Sequence, residues 1–196
     1  EIIARLAPDA THAAALQALN NIVTLTGLEP RETLRAALRV AVEHLHLDYG
    51  IISQIDEARD HYRIEAQVSP PDTLHDNQEF PLGRTYCRDT LHRAAPLAIA
   101  DARLHDGGEH PCYREFGLAC YLGIPIQVGG QLYGTLNFSS PTPRDHEFDP
   151  SDLEFLRLLA RWAEAFLERQ HFVEELEQAR NAAETANRAK SQFVAN

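Results

Sequence analysis

The sequence predicts an α+β domain: an antiparallel central sheet flanked by helices, with a long C-terminal helix. Three observations carry this. Two pairs of β-like runs are each joined by a short turn, as in antiparallel hairpins. Stripes of apolar residues at i, i+3, i+4 and i+7 precede the first pair. After Pro150 neither proline nor glycine occurs as far as Asn196, so one unbroken helix is allowed. Hairpins with helices before and after them point to α+β rather than to alternating βαβ units.

The elements follow in order. "DATHAAALQALNNIVTLT", from Asp9 to about Thr26, has helical spacing; Asp9 can cap it and Gly27 can end it. "EPRETLRAALRVAVEHLHL" places Pro30 in a first turn and Leu34, Ala37, Leu38, Ala41, Val42 and Leu45 on one stripe. "YGIISQID" (Tyr49–Asp56) and "HYRIEAQV" (His61–Val68) form a hairpin across a short polar turn. "SPPDTLHDNQEFPLG" is loop by its Pro, Asp and Asn content. "RTYCRDTLHRA" is a short helix capped by Thr85 or Gly83, and "PLAIAD" (96–101) a short strand. "ARLHDGGEHP" is loop, and "PCYREFG" one or two helical turns between Pro111 and Gly117.

"ACYLGIPIQV" and "QLYGTLNFSS" form the second hairpin, joined at Gly129 and Gly130. Two glycines supply the positive φ angles of a two-residue type I′ turn. Pro125 cannot donate to a ladder, so its strand is an edge there, is bulged, or has that side of its backbone free.

The last helix starts at Pro150, favoured in a first turn, with Asp149 or Ser151 as cap. About 46 residues of continuous helix would run about 70 Å. Its first part is rich in large apolar residues: Leu153, Phe155, Leu156, Leu158, Leu159, Trp162, Phe166 and Leu167. Its last part keeps only a thin seam of Leu176, Ala179, Ala183, Ala186, Ala189 and Phe193. A stripe that narrow cannot cover a sheet and suits contact with one partner helix. A homodimer through this helix is therefore expected, with Leu159, Trp162, Phe166, Val173, Leu176, Ala183 and Phe193 as the helix and dimer residues.

Composition narrows the function classes. Apolar residues are 44% and charged residues 24%, ordinary for a soluble globular protein. No run approaches 18 consecutive apolar residues, so no segment reads as a membrane span. No basic leader with an apolar run and cleavage site is visible. A net charge of −11 without a basic stripe argues against nucleic acid, whose binding rests on cations displacing counterions. Three cysteines are not a secreted disulfide framework, which makes a reducing cytoplasm the expected location. The first residue is glutamate and methionine is absent, as expected of a piece of a longer protein.

Possible chemical sites are few. Cys87 and His92 stand about 140° apart on a helix and do not share a face, so they make a poor metal pair. "LHDGGEHPC" carries His105, Asp106, Glu109, His110 and Cys112, but in no zinc-like spacing, and reads as a solvated loop. Strand alternation puts Ala119, Tyr121 and Gly123 on one face and Cys120, Leu122 and Ile124 on the other, so Cys120 reads as core. A disulfide from Cys120 to Cys87 or Cys112 stays open, because sequence does not give their separation. There is no G-x-S-x-G, phosphate-binding glycine loop or H-E-x-x-H, so no catalytic residue and no metal ligand is assigned.

The segments "PLGRTYCRDTL", "PLAIADA", "GLACYLGIPIQVGGQLYGTLNFSS" and "FDPSDLEFLRLLARWAEAFLER", in that order, resemble a GAF domain, a small-molecule-sensing fold. The resemblance covers residues 10–169, leaving 1–9 as an N-terminal tail and 170–196 as a coiled-coil linker. The ending "ARNAAETANRAKSQFVAN" resembles the lead-in to the dimerisation helix of a sensor histidine kinase. In that family the phosphoacceptor histidine would follow almost at once, outside this chain. The resemblance implies a regulatory input domain that binds a small ligand or a partner domain between its sheet and the crossover 80–118. Candidate pocket residues, from their position, are Tyr86, Cys87, Asp101, Tyr113, Cys120 and Asn137. Ligand identity stays open, and no cofactor is required. A ligand-free dimerisation spacer is the alternative, and a redox, metal or bilin sensor using Cys87, Cys112 or Cys120 a further one. Bilin attachment in the family usually has histidine directly after the cysteine, whereas Tyr113 follows Cys112.

Overall fold

The stripe Leu34, Ala37, Leu38, Ala41, Val42 and Leu45 is buried along α2 (Pro30–Leu45), which ends at His46 in the left-handed conformation. The computed structural model describes residues 10–93 and 95–194, with side chains over 12–93 and 95–188. The preceding α1 (Ala10–Val23) stops three residues short of Thr26. There the Thr24 hydroxyl bonds the Asn20 carbonyl at 2.9 Å, competing with the helical ladder. The proposed cap Asp9 lies outside the described residues.

The first hairpin has the expected bounds: β1 (Tyr49–Asp56) and β2 (His61–Val68), joined through a 3₁₀ turn with Asp60 left-handed. A third strand, β3 (Glu79–Pro81), pairs with the start of β2, which corrects the all-loop reading of that segment. The crossover holds α3 (Cys87–Thr90), β4 (Leu97–Ile99), α4 (Ala102–His105) and α5 (Pro111–Phe116). The helix α4 also corrects a loop expectation; Asp101 starts it by accepting the Arg103 N–H. β5 (Cys120–Val128) and β6 (Gln131–Ser140) complete a six-stranded sheet in the order β3-β2-β1-β6-β5-β4, antiparallel throughout.

Gly129 and Gly130 have φ of 60° and 75°, the pair of positive angles of a type I′ turn. Pro125 is tolerated because β4 pairs only with Tyr121, Leu122 and Gly123, so β5 is an edge beyond them. That exposed edge is covered: the Gln127 N–H donates to the Glu164 carboxylate at 2.8 Å. Glu164 belongs to α6 (Pro150–Val194), which is uninterrupted over 45 residues. Its cap is Asp149, not Ser151: Asp149 accepts the Asp152 N–H at 2.9 Å and Asp152 accepts the Asp149 N–H at 3.2 Å.

The sheet has two unlike faces. On one, α1, α2 and the first part of α6 bury Ile52, Cys120, Leu122, Ile126, Leu136 and Phe138. On the other, the crossover packs over Ile51, Ile55, Tyr62, Ile64 and Tyr121. A bulge sets which side chains of β2 go where. Ser53 pairs with Ile64 but Ile52 pairs with Ala66, so Glu65 is extra. Ile64 therefore faces the crossover and Ala66 the helices.

Leu159 and Phe166 are buried in this same helical core, with Trp162 half-buried and stacked on Phe166 at 5.4 Å. These three belong to the part of α6 that packs on the domain. Val173, Leu176 and Ala183 are exposed, while the Phe193 side chain lies outside the described set. Among the described residues no helix is long and apolar enough to cross a membrane.

Candidate functional site

The crossover does not pack flush on the sheet. Between them is a cavity of about 330 Å³, walled by β1, β2, β5 and β6 below and by residues 73–87, α5 and Leu118 above. Its size is at the lower end of small-molecule sites. A wider trough of about 980 Å³ runs between the start of α2, the β5–β6 turn and α6. That trough is open and rimmed by Glu29, Arg31, Arg63, Glu65, Glu168 and Glu174. The smaller cavity encloses the buried polar side chains and is the stronger candidate.

Alternation along β6 aims Thr135, Asn137 and Ser139 toward the crossover, between Leu136 and Phe138 aimed at the helices. The neighbouring strands add Ser53, Tyr62 and Tyr121 on the same face. Thr135, Asn137 and Tyr121 converge on the Cys87 thiol. Thr135 donates to Sγ at 3.2 Å, and Asn137 Nδ2 and Tyr121 Oη approach it at 3.5 Å. Ser53 and Thr135 hydroxyls are 2.9 Å apart, Asn137 donates to Thr135 at 3.1 Å, and Tyr121 meets Thr90 at 2.8 Å. Ser53, Thr90, Thr135, Asn137 and Tyr121 thus satisfy one another, which their burial demands.

Gly123 makes room for this arrangement. The Tyr121 ring lies back across it, and a Cβ at 123 would stand 2.2 Å from Tyr121 Oη. At the other wall Tyr86 stacks on His110 at 4.3 Å and donates to the Leu118 carbonyl at 3.1 Å.

The site is hostile to negative charge. Burial raises the Cys87 pKa, only partly offset by hydrogen bonds from Thr135 and Tyr121. Burial also pushes Cys112 up to about 12 and lifts Tyr62, Tyr86 and Tyr121 above the ordinary tyrosine value. All three cysteines are free and buried.

The six residues expected at a pocket separate. Tyr86, Cys87 and Asn137 line the cavity together. Tyr113 packs beside it and does not line it. Asp101 instead grips the Arg103 guanidinium, which holds its carboxyl below the usual range. Cys120 faces the helices with Leu122, on the opposite side of the sheet. Tyr62, Tyr121 and Ser139 were missed; the alternation separating Tyr121 from Cys120 was visible, but not which face was hollow.

The "LHDGGEHPC" side chains disperse. Asp106 accepts the Gly108 N–H, Glu109 pairs with Arg114, and His110 caps α5 and approaches Asp89 at 3.3 Å. Cys112 lines the cavity. Among the described residues, no three His, Cys, Asp or Glu side chains converge as a metal would need.

Several solved structures share this architecture. The GAF domain of a phosphoenolpyruvate-protein phosphotransferase from Acinetobacter aligns with a TM-score of 0.67 at 15% identity, over 86% of this chain and 99% of that one. The phycoerythrobilin-bound GAF domain of a cyanobacterial phytochrome also scores 0.67, at 14% identity over 83% and 98%. The GAF domain of a candidate sensor histidine kinase from Pseudomonas syringae pv. tomato scores 0.56, at 17% identity over 87% and 93%. At such identities the likeness is one of fold. No curated protein sequence matches the chain. The family model for the GAF domain matches residues 29–167, most of the chain, and the chain accordingly belongs to the GAF family.

Proposed function

We propose that this GAF domain is the sensory input module of a cytoplasmic sensor histidine kinase. It binds a small ligand in the cavity over β1, β2, β5 and β6 and passes the signal through α6 to a dimeric coiled coil. The observation that carries the reading is the continuity of α6. One helix packs under the sheet through Leu156, Leu159 and Ala163, then leaves the domain with Phe172, Val173 and Leu176 exposed. An apolar seam beyond a folded domain is costly to leave in water and suits a second helix. The ending "AKSQFVAN" supports the kinase context, as does the Pseudomonas neighbour.

Ligand binding shifts an equilibrium only by its differential affinity for two states. In this reading the two states differ in how α6 pairs with its partner. The experiment is sedimentation of the 196-residue chain and of a version lacking 172–196. Weaker self-association of the shorter chain is expected; equal dimer strength would argue against the seam.

A further inference from the structure

The chemistry of the cavity wall is unusually one-sided. Among the described residues, no Asp, Glu, Lys, Arg or His lines it. Its walls are the rings of Tyr49, Tyr62, Phe80, Tyr86, Phe116 and Tyr121, with Ile51, Leu74 and Leu118 between them. Charges stand behind the aromatic walls: Arg84 lies over Phe116 and pairs with Glu115, and His110 stacks on Tyr86.

Most polar groups in the wall are already engaged within the chain. Asn137 Nδ2 bonds Thr135 and Cys87, Tyr86 bonds the Leu118 carbonyl, and Thr85 bonds the Leu82 carbonyl at 2.9 Å. Gln78 accepts the His75 N–H, and Thr73 bonds the Pro70 carbonyl. Two hydroxyls differ. Ser139 is 2% exposed, and its hydroxyl has no hydrogen-bond partner among the described residues. Tyr49, which is only half-buried, stands directly opposite Ser139 in the β1–β6 register and lines the same cavity, and its phenol has no hydrogen-bond partner among the described residues. A hydroxyl that faces the cavity with no protein partner is left for water or a ligand to satisfy.

We infer that the cavity takes a small uncharged aromatic or alicyclic molecule carrying one hydroxyl, carbonyl or amide group, which Ser139 and Tyr49 hydrogen-bond. The inference rests on the reading of this cavity as the ligand site. An anion would leave water for a wall without a cation, at a cost no hydroxyl pair offsets. The raised pKa values of the wall phenols and thiols, which make them weaker acids, report the same penalty. A ligand with several charged groups has no counter-charge here.

Calorimetric titration of the 196-residue chain with naphthamide, its anionic isostere naphthoate, and naphthalene tests this. Naphthamide is expected to bind at least about tenfold more tightly than naphthoate. Ser139→Ala should weaken naphthamide about threefold to tenfold, one hydrogen bond's worth, and leave naphthalene unchanged. Leu118→Trp, or Leu118→Phe should the first not fold by circular dichroism, fills the cavity and should abolish binding of all three. Naphthoate binding as tightly as naphthamide, and lost on filling, keeps the cavity as a ligand site and overturns the uncharged class. An unchanged naphthamide-to-naphthalene ratio in Ser139→Ala overturns the hydroxyl reader. No binding of any probe up to solubility, or binding that survives filling, overturns both the inference and the site.

Discussion

Arg144 and Asp152 form a largely buried ion pair at 3.1 Å that ties the loop after β6 to the start of α6. The Arg144 guanidinium also bonds the Leu45 carbonyl at 3.3 Å and lies 4.3 Å over the Phe148 ring. Asp152 is simultaneously half of the α6 cap. Removing Arg144 strands a buried carboxylate. Arg144→Ala is expected to destabilise the domain by about 3 kcal/mol, and Arg144→Met with Asp152→Leu by less, because breaking a buried pair costs more than replacing it. Urea unfolding of both variants checks this; the double variant being the weaker would contradict it.

Gly123→Ala should be costly despite adding one carbon. The new Cβ would sit 2.2 Å from Tyr121 Oη, so the ring must leave Thr90 and Cys87. Overpacking of this kind costs about 1–3 kcal/mol. A loss too small to measure by thermal unfolding would mean that Tyr121 has a second resting place.

Stability should fall in mild acid through His44. Burial lowers its pKa below the ordinary histidine value, against the opposing pull of Asp152, and its ring packs on Phe155 at 4.4 Å. Above 6.5 both folded and unfolded forms are neutral there, and the contribution is whole. As pH falls below 6.5 the unfolded chain takes up the proton first, so stability declines until the folded pKa is passed. The melting temperature should drop between neutral pH and the histidine range below it, and His44→Phe should flatten that drop. An unchanged slope in the variant would assign the acid sensitivity elsewhere.

Native thiols should be slow. Cys87, Cys112 and Cys120 are buried and their pKa values are all raised by burial, so little thiolate exists at neutral pH. A thiol reagent is expected to count 3 cysteines rapidly only in denaturant. One fast-reacting thiol in the native protein would expose a site the cavity does not show.

Much of this architecture was legible in the residues. Tyr49–Asp56 and His61–Val68 match their strands because the polar turn between them leaves one register. Gly129 and Gly130 fixed the second hairpin for the same reason. The three-residue β3 was not legible, since "EFP" has too few residues to alternate and exists only because β2 pairs with it. The bulge at Glu65, too, is a matter of partner strand rather than of local propensity. Half of the site was readable for a related reason. Cys87 and Asn137 could be placed by their elements, whereas Asp101 and Cys120 needed the knowledge of which sheet face was hollow.

The long helix has a mechanical consequence. It is rooted against β5, whose Tyr121 faces the cavity while Cys120 and Leu122 face the helical core, one peptide unit apart. Beyond Phe172 about 22 residues project as an arm of about 33 Å at about 1.5 Å per residue. A tilt of only about 5° at the root would swing the tip by about 3 Å, comparable with one or two residues of helical rise. Under the proposed sensory role, a tilt of α6 at its root too small to disturb the sheet would reach the far end of the arm multiplied.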